Sequence, residues 1–181
     1  TSVNIAYTMA QSGQKVLLLE TDLRLPTLAK RIRVRSKPGL SNLLVGQCSG
    51  NEILQKSGLL PNLWVATAGD IPPNPAELLG SKNMALTLNA LSEVFDVIIV
   101  DLPPVTAVTD AAIVSKLVHG MVVVVRQNYC ERGAVDEAVR QLRFADAKIL
   151  GFVMTGADTQ SKNYKRYGTY GDYKQPAANS K

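Results

Sequence analysis

Cysteine is scarce in this chain: Cys48 and Cys130 are the only two in 181 residues. They stand far apart and match no metal-ligand spacing, which argues against a cysteine-held metal and predicts reduced thiols in a cytoplasmic protein. His119 is the only histidine and precedes an apolar run, so it reads as a turn or surface residue rather than a catalyst. No apolar stretch approaches the roughly 20 residues that cross a bilayer, and the longest, around "MVVVV", has the length of a strand. No secretory leader is visible, and the first residue is Thr1 rather than Met, so the expectation is that the start of the protein lies upstream. Acidic residues are outnumbered, 15 Asp and Glu against 20 Lys and Arg. Part of that surplus falls in the last twenty residues, where a basic tail suits either an anionic partner or simple solubility.

What is present fits one domain with a sizeable core, at 46% hydrophobic content. Five apolar runs read as strands: "KVLLLE" (15–20), "NLWVATA" (62–68), "DVIIVD" (96–101), "GMVVVVR" (120–126) and "KILGFVM" (148–154). Their nearly continuous apolar character predicts burial on both faces of a parallel sheet. Helix-like segments lie between them at 1–12, within 40–57, and at 75–92, 109–118 and 131–145. In 75–92, Asn74 is placed to cap, Pro75 suits the first helical position, and Leu78, Leu79, Leu86 and Leu91 are expected to line one apolar face. Alternating strand and helix predicts an α/β, doubly wound, mostly parallel sheet. Patterning stops near Gly156, which divides the chain into a domain at 1–155 and a flexible tyrosine-rich tail at 156–181. Trp64 reads as core, Tyr7 and Tyr129 as structural, and the basic run from Lys30 to Pro38 as a solvated face.

Ligands in such sheets bind beyond the carboxyl ends of the strands. Two strands end in acid there: "VLLLETDLRLP" carries Glu20 and Asp22, with Arg24 following, and "VIIVDLPP" ends at Asp101. A carboxylate at the tip of a buried strand needs water, a donor or a metal. Such groups from neighbouring strands converge where a phosphate-bound Mg²⁺ would lie, although a single strand-end Asp can equally cap a turn. The phosphate cradle that usually accompanies them, G-x-x-x-x-G-K-[ST], occurs nowhere in the chain. The chain opens on a helix that feeds directly into a strand, so the expectation is that a first strand and phosphate loop precede Thr1. Without them, residues 1–181 alone are expected to be poorly stable and inactive.

The segments "KVLLLETDLRLPTL", "GLSNLLVGQ", "IPPNPAELLGS", "FDVIIVDLPPV" and "VTDAAIVSKLVHGMVVVVR", with the tail "NYKRYGTYGDYK", together resemble the bacterial tyrosine kinases of capsule and exopolysaccharide synthesis, P-loop ATPases with deviant Walker motifs. The resemblance runs in order over essentially the whole chain. It implies that "ETDLR" is the Walker A′ motif, "VIIVD" is Walker B, and the Walker A loop lies just upstream of Thr1. Asp22, Glu20 and Asp101 would then be catalytic, with Asp22 and Asp101 holding Mg²⁺, and Asp22, Arg24 and Asp101 binding ATP. Where the family usually has Asp, this chain has Glu20; where many relatives have a base-contacting Asn, it has Thr155.

The resemblance also makes Tyr164, Tyr167, Tyr170 and Tyr173 the autophosphorylation cluster. Each phosphate adds about −1.5 to −2 charge at pH 7, which would turn a basic tail acidic. Implied partners are further copies of the chain, phosphorylated in trans, and a transmembrane activator of the chain-length-determinant type, with room for a cognate tyrosine phosphatase. No nucleic acid is expected, and the implied location is the cytoplasmic face of the membrane. Two other readings remain open at this point: a positioning ATPase of the ParA/MinD kind, which binds DNA or membrane through a basic surface, and a scaffold that has lost catalysis.

Overall fold

The computed structural model describes residues 1–157. Helix α1 (Ser2–Gln11) leads into strand β1 (Val16–Glu20), followed by short helices α2 (Leu28–Ile32), α3 (Leu40–Leu44) and α4 (Gly50–Ile53). Strands β2 (Gln55–Lys56) and β3 (Leu63–Ala66) come next, then helices α5 (Pro75–Leu79) and α6 (Lys82–Ser92). The described chain closes with β4 (Val97–Asp101), α7 (Asp110–Val114), β5 (Met121–Arg126), α8 (Arg132–Phe144) and β6 (Ile149–Thr155).

All five expected strands form. Strand β1 lies between β3 and β4, parallel to both, with Leu18 opposite Val65 on one side and Ile99 on the other. The sheet order is β2-β3-β1-β4, and β2 is an antiparallel edge that the sequence reading did not anticipate. Side chains alternate across β1 because successive strand residues point to opposite faces. Val16 and Leu18 meet Ala6 and Ala10 of α1, whereas Leu17 and Leu19 meet Leu79 of α5 and Met84, Leu88 and Leu91 of α6. Helices thus cover both faces, the layering expected of a doubly wound sheet, and every residue of β1 is buried. Full burial contributes about 1.5–3 kcal/mol for each leucine, which holds this leucine-rich segment in the sheet despite its modest strand propensity.

Four expectations are corrected. The segment 75–92 forms two helices, not one: α5 ends at Gly80, and Ser81 starts α6 with its hydroxyl accepting the Met84 N–H at 3.2 Å. The break resets the helical phase, so Met84, Leu88 and Leu91 face the core and Leu86 is 66% exposed. Strands β5 and β6 are not buried on both faces. They form a separate parallel pair, covered on one side by Leu142 of α8 and Ala111 of α7, while Val122, Val124, Leu150, Phe152 and Met154 face out. Tyr129 is not structural, because it is 79% exposed beside Arg126. Asn74 precedes α5 without capping it, its side-chain amide donating to Glu77 Oε2 at 2.6 Å; the remaining residue readings agree with the structure. Trp64 packs edge-on against Phe95, Tyr7 lines the α1 side of the core, and His119 is exposed in a bend.

Candidate active site

The carboxyl ends of β1 and β4 lie side by side, with Glu20 opposite Asp101 in the parallel register. One residue further, Thr21 ties the tips together: its N–H and its hydroxyl both donate to the Asp101 carbonyl, at 2.9 and 2.7 Å. The Asp101 side chain is half-buried and has no hydrogen-bond partner among the described residues. Buried Leu23 anchors the following turn, and Asp22 closes it with a single oxygen. Asp22 Oδ1 accepts the N–H groups of Arg24 at 3.1 Å and Leu25 at 2.9 Å. Its Oδ2 is left without a partner among the described residues, so the side chain is oriented by the turn while one oxygen remains available.

Glu20 is built differently. Its carboxylate is 1% exposed, and both oxygens are occupied: Oε1 accepts from the N–H groups of Thr27 and Leu28 at 2.7 Å, and Oε2 from the Ala68 N–H at 3.2 Å. It therefore satisfies backbone donors at the start of α2 and just after β3, which explains why Thr27 makes no side-chain cap of its own. The side chain expected at the Mg²⁺ or the substrate hydroxyl is here engaged with the protein interior.

Arg24, expected at the nucleotide, is also engaged elsewhere. Its Nε and Nη2 each donate to one oxygen of Asp110, both at 2.9 Å. Asp110 begins α7 and its side chain is wholly inaccessible, whereas Arg24 is 37% exposed. The paired carboxylate holds the guanidinium pKa above its ordinary value. Sequence reasoning assigned Asp110 no role. The available signal was a lone acid opening an otherwise apolar helix, which reads equally well as a favourable dipole contact.

Beside these residues the "GLSNLL" motif makes a close crossing. A side chain at Gly39 would lie 2.3 Å from the backbone nitrogen of Gly69, so the two loops can meet only through glycine. Thr155 ends β6, away from the acidic pair in sequence and in a separate sheet. Tyr164, Tyr167, Tyr170 and Tyr173 lie outside the described residues.

No group of three or more His, Cys, Asp or Glu side chains that could hold a metal occurs among the described residues. Magnesium needs no such cage, since it is commonly held by one or two carboxylates together with substrate phosphates and water. The unpartnered oxygens of Asp22 and Asp101 at adjoining strand ends fit that requirement, and the Glu20 carboxylate does not. Among the described residues, no helix is long and apolar enough to cross a membrane.

The profile of the AAA domain family matches residues 1–145. The tyrosine-protein kinase YwqD of Bacillus subtilis (strain 168) is 36% identical over 176 residues, spanning 97% of this chain and 74% of that protein. Among solved structures, the kinase domain of the Escherichia coli tyrosine kinase ETK superposes with a TM-score of 0.80 at 34% identity, over 88% of this chain and 64% of that one. The septum site-determining protein MinD of Pyrococcus horikoshii OT3, complexed with Mg-ADP, reaches 0.69 at 18% identity, covering 84% of this chain and 62% of that one. That likeness is one of fold alone, so the positioning-ATPase reading gives way to the kinases. A doubly wound α/β sheet with an acidic pair at its strand tips, matched over nearly its full length by tyrosine-protein kinases, places this chain in the AAA-domain family as a bacterial protein-tyrosine kinase.

Proposed function

We propose that the chain works as an ATP-dependent protein-tyrosine autokinase, with Mg·ATP at the carboxyl edge of β1 and β4. The observation that carries this reading is the pair of strand-end carboxylates, Asp22 and Asp101, each with oxygen free of donors among the described residues while the neighbouring acid is fully engaged. Asp101 and Asp22 would hold the Mg²⁺, directly or through water. The ion, when bound, neutralises charge on the phosphates, which is the main requirement of phosphoryl transfer. The tyrosine hydroxyl, with a pKa near 10 when free, also benefits from a carboxylate that orients it and accepts its proton. Asp22 Oδ2 would take this role where it meets the Mg²⁺ through water and not directly, because the Glu20 oxygens are already bonded.

The acceptors in this proposal are Tyr164, Tyr167, Tyr170 and Tyr173, phosphorylated in trans by another copy, with residues 1–155 as part of the catalytic domain and 156–181 as its substrate tail. The family resemblance further supports a role in regulating capsule or exopolysaccharide polymerisation and export, at the cytoplasmic face of the membrane through a transmembrane activator. The test is to supply labelled ATP and Mg²⁺ to the whole gene product and map phosphotyrosine by peptide mass. Phosphate on the four tail tyrosines, abolished when all four are changed to phenylalanine, is the expected result. Nucleotide turnover with an unmodified tail would overturn the proposal.

A further inference from the structure

The Arg24–Asp110 pair has no place in the chemistry described above, yet it joins the two loops that bear the acidic residues. The Asp110 carboxylate is taken wholly out of water, with both oxygens accepting from one guanidinium in a parallel fork. Such pairs add little net stability, since apolar residues of similar volume serve as well, but the fork fixes direction as a point charge cannot. The direction fixed here is that of the active-site loop. The Arg24 N–H is itself bonded to Asp22 Oδ1, so the residue that grips Asp110 also closes the turn holding Asp22. Helix α7 is itself anchored in both parts of the molecule: Ala111, next to Asp110, packs with Val123 of β5, and Val114 packs in the main core. The loop from Asp101 to Asp110 is therefore tied to the loop after β1 at its base, through Thr21 and the Asp101 carbonyl, and again at its far end.

We propose that Asp110 is a positioning residue that, through Arg24, sets the placement of the Asp22 carboxylate relative to Asp101 and hence the geometry offered to Mg²⁺. This rests on the kinase reading above. It reassigns Arg24 from nucleotide contact to the closure of that link, and it predicts that loosening the link weakens metal use before it weakens the fold.

The experiment uses the whole gene product with Arg24→Lys, which keeps the charge and loses the fork, and Asp110→Asn. Two quantities are read: the Mg²⁺ concentration for half-maximal tyrosine phosphorylation, and nucleotide-free amide exchange at Arg24 and Leu25. In Arg24→Lys we expect the Mg²⁺ requirement to rise about tenfold or more, with most of the maximal rate recovered at saturating Mg²⁺. We also expect exchange at the two amides to quicken about tenfold while β1 and β3 stay protected. Asp110→Asn should show the same pattern more strongly; should it fail to fold, Arg24→Lys decides alone. An unchanged Mg²⁺ requirement with unchanged exchange at Arg24 and Leu25, or a uniform loss of protection with no Mg²⁺ shift, would overturn the proposal. A wild-type protein that phosphorylated no tyrosine would defeat the kinase reading, and the exchange arm would still decide whether the pair holds the Asp22 turn.

Discussion

Strand β1 of the four-stranded sheet and the β5–β6 pair are similarly apolar in sequence and are treated in opposite ways. In β1, Leu17, Leu18 and Leu19 are all buried, with helices above and below. In β5 and β6 only Val123 is buried; the other inward-facing residues are half-buried and the rest, including Phe152 at 56% exposure, face outward. The difference shows that an apolar run specifies what a strand can bury, whereas the layers packed on it decide what it does bury. It also separates the molecule by task. The four-stranded sheet carries the acidic tips, and the β5–β6 pair connects to it through α7, whose first residue is clamped to the Asp22 loop.

The contrast is most easily broken by truncation. Leu17→Ala should cost about 2–5 kcal/mol, because it opens a cavity in a fully packed layer, whereas Phe152→Ser on the outer face of β6 should stay within about 0.5 kcal/mol. Equal losses in chemical denaturation would show that the outer face is covered in solution. At the strand tips, Asp22→Asn and Asp101→Asn should each lower tyrosine phosphorylation by about 10²–10³-fold with little change in melting temperature, as expected when charge stabilisation rather than packing is removed. Glu20→Gln should do the reverse. Losing a charged acceptor for buried N–H groups should cost about 1–3 kcal/mol, and the folded variant should keep the wild-type Mg²⁺ requirement.

The smallest effect concerns α4. The Ser49 N–H and hydroxyl, both 2.7 Å from Glu52 Oε2, hold that carboxyl below its ordinary range. A lowered folded-state value contributes stability that is fully present above the free carboxyl's pKa of about 4.3 and is lost as pH falls from there through the lower folded-state value. Glu52→Gln should therefore be slightly less stable than wild type at pH 7, and the gap should close in acid, as followed by thermal melts across pH.

Much of this was legible in the sequence because strand formation is encoded locally. Runs such as "VLLLE" and "VIIVD" announced both the strands and the edge where chemistry sits. The division of 75–92 was harder to see, since the leucine spacing suited one helix and only the Gly80–Ser81 pair marked a break. As strand-end acids Glu20 and Asp22 look alike, and only the family resemblance set Asp22 apart; what separates them in the structure is a set of backbone donors from α2 and the end of β3, which depends on tertiary placement. Asp110 was invisible for the same reason, because its partner lies 86 positions away in the chain. The tyrosine tail was legible as a motif, and its residues beyond 157 lie outside the described structure.

The central claim is that Asp22 and Asp101 form the working pair and Glu20 supports the fold. The most direct test is phosphotyrosine mapping on the whole gene product with Mg·ATP, for wild type, Asp22→Asn and Glu20→Gln at a temperature where all three are folded. The account predicts tail phosphorylation in wild type and in Glu20→Gln, and its loss in Asp22→Asn. Phosphorylation that survives in Asp22→Asn and disappears in Glu20→Gln would contradict it.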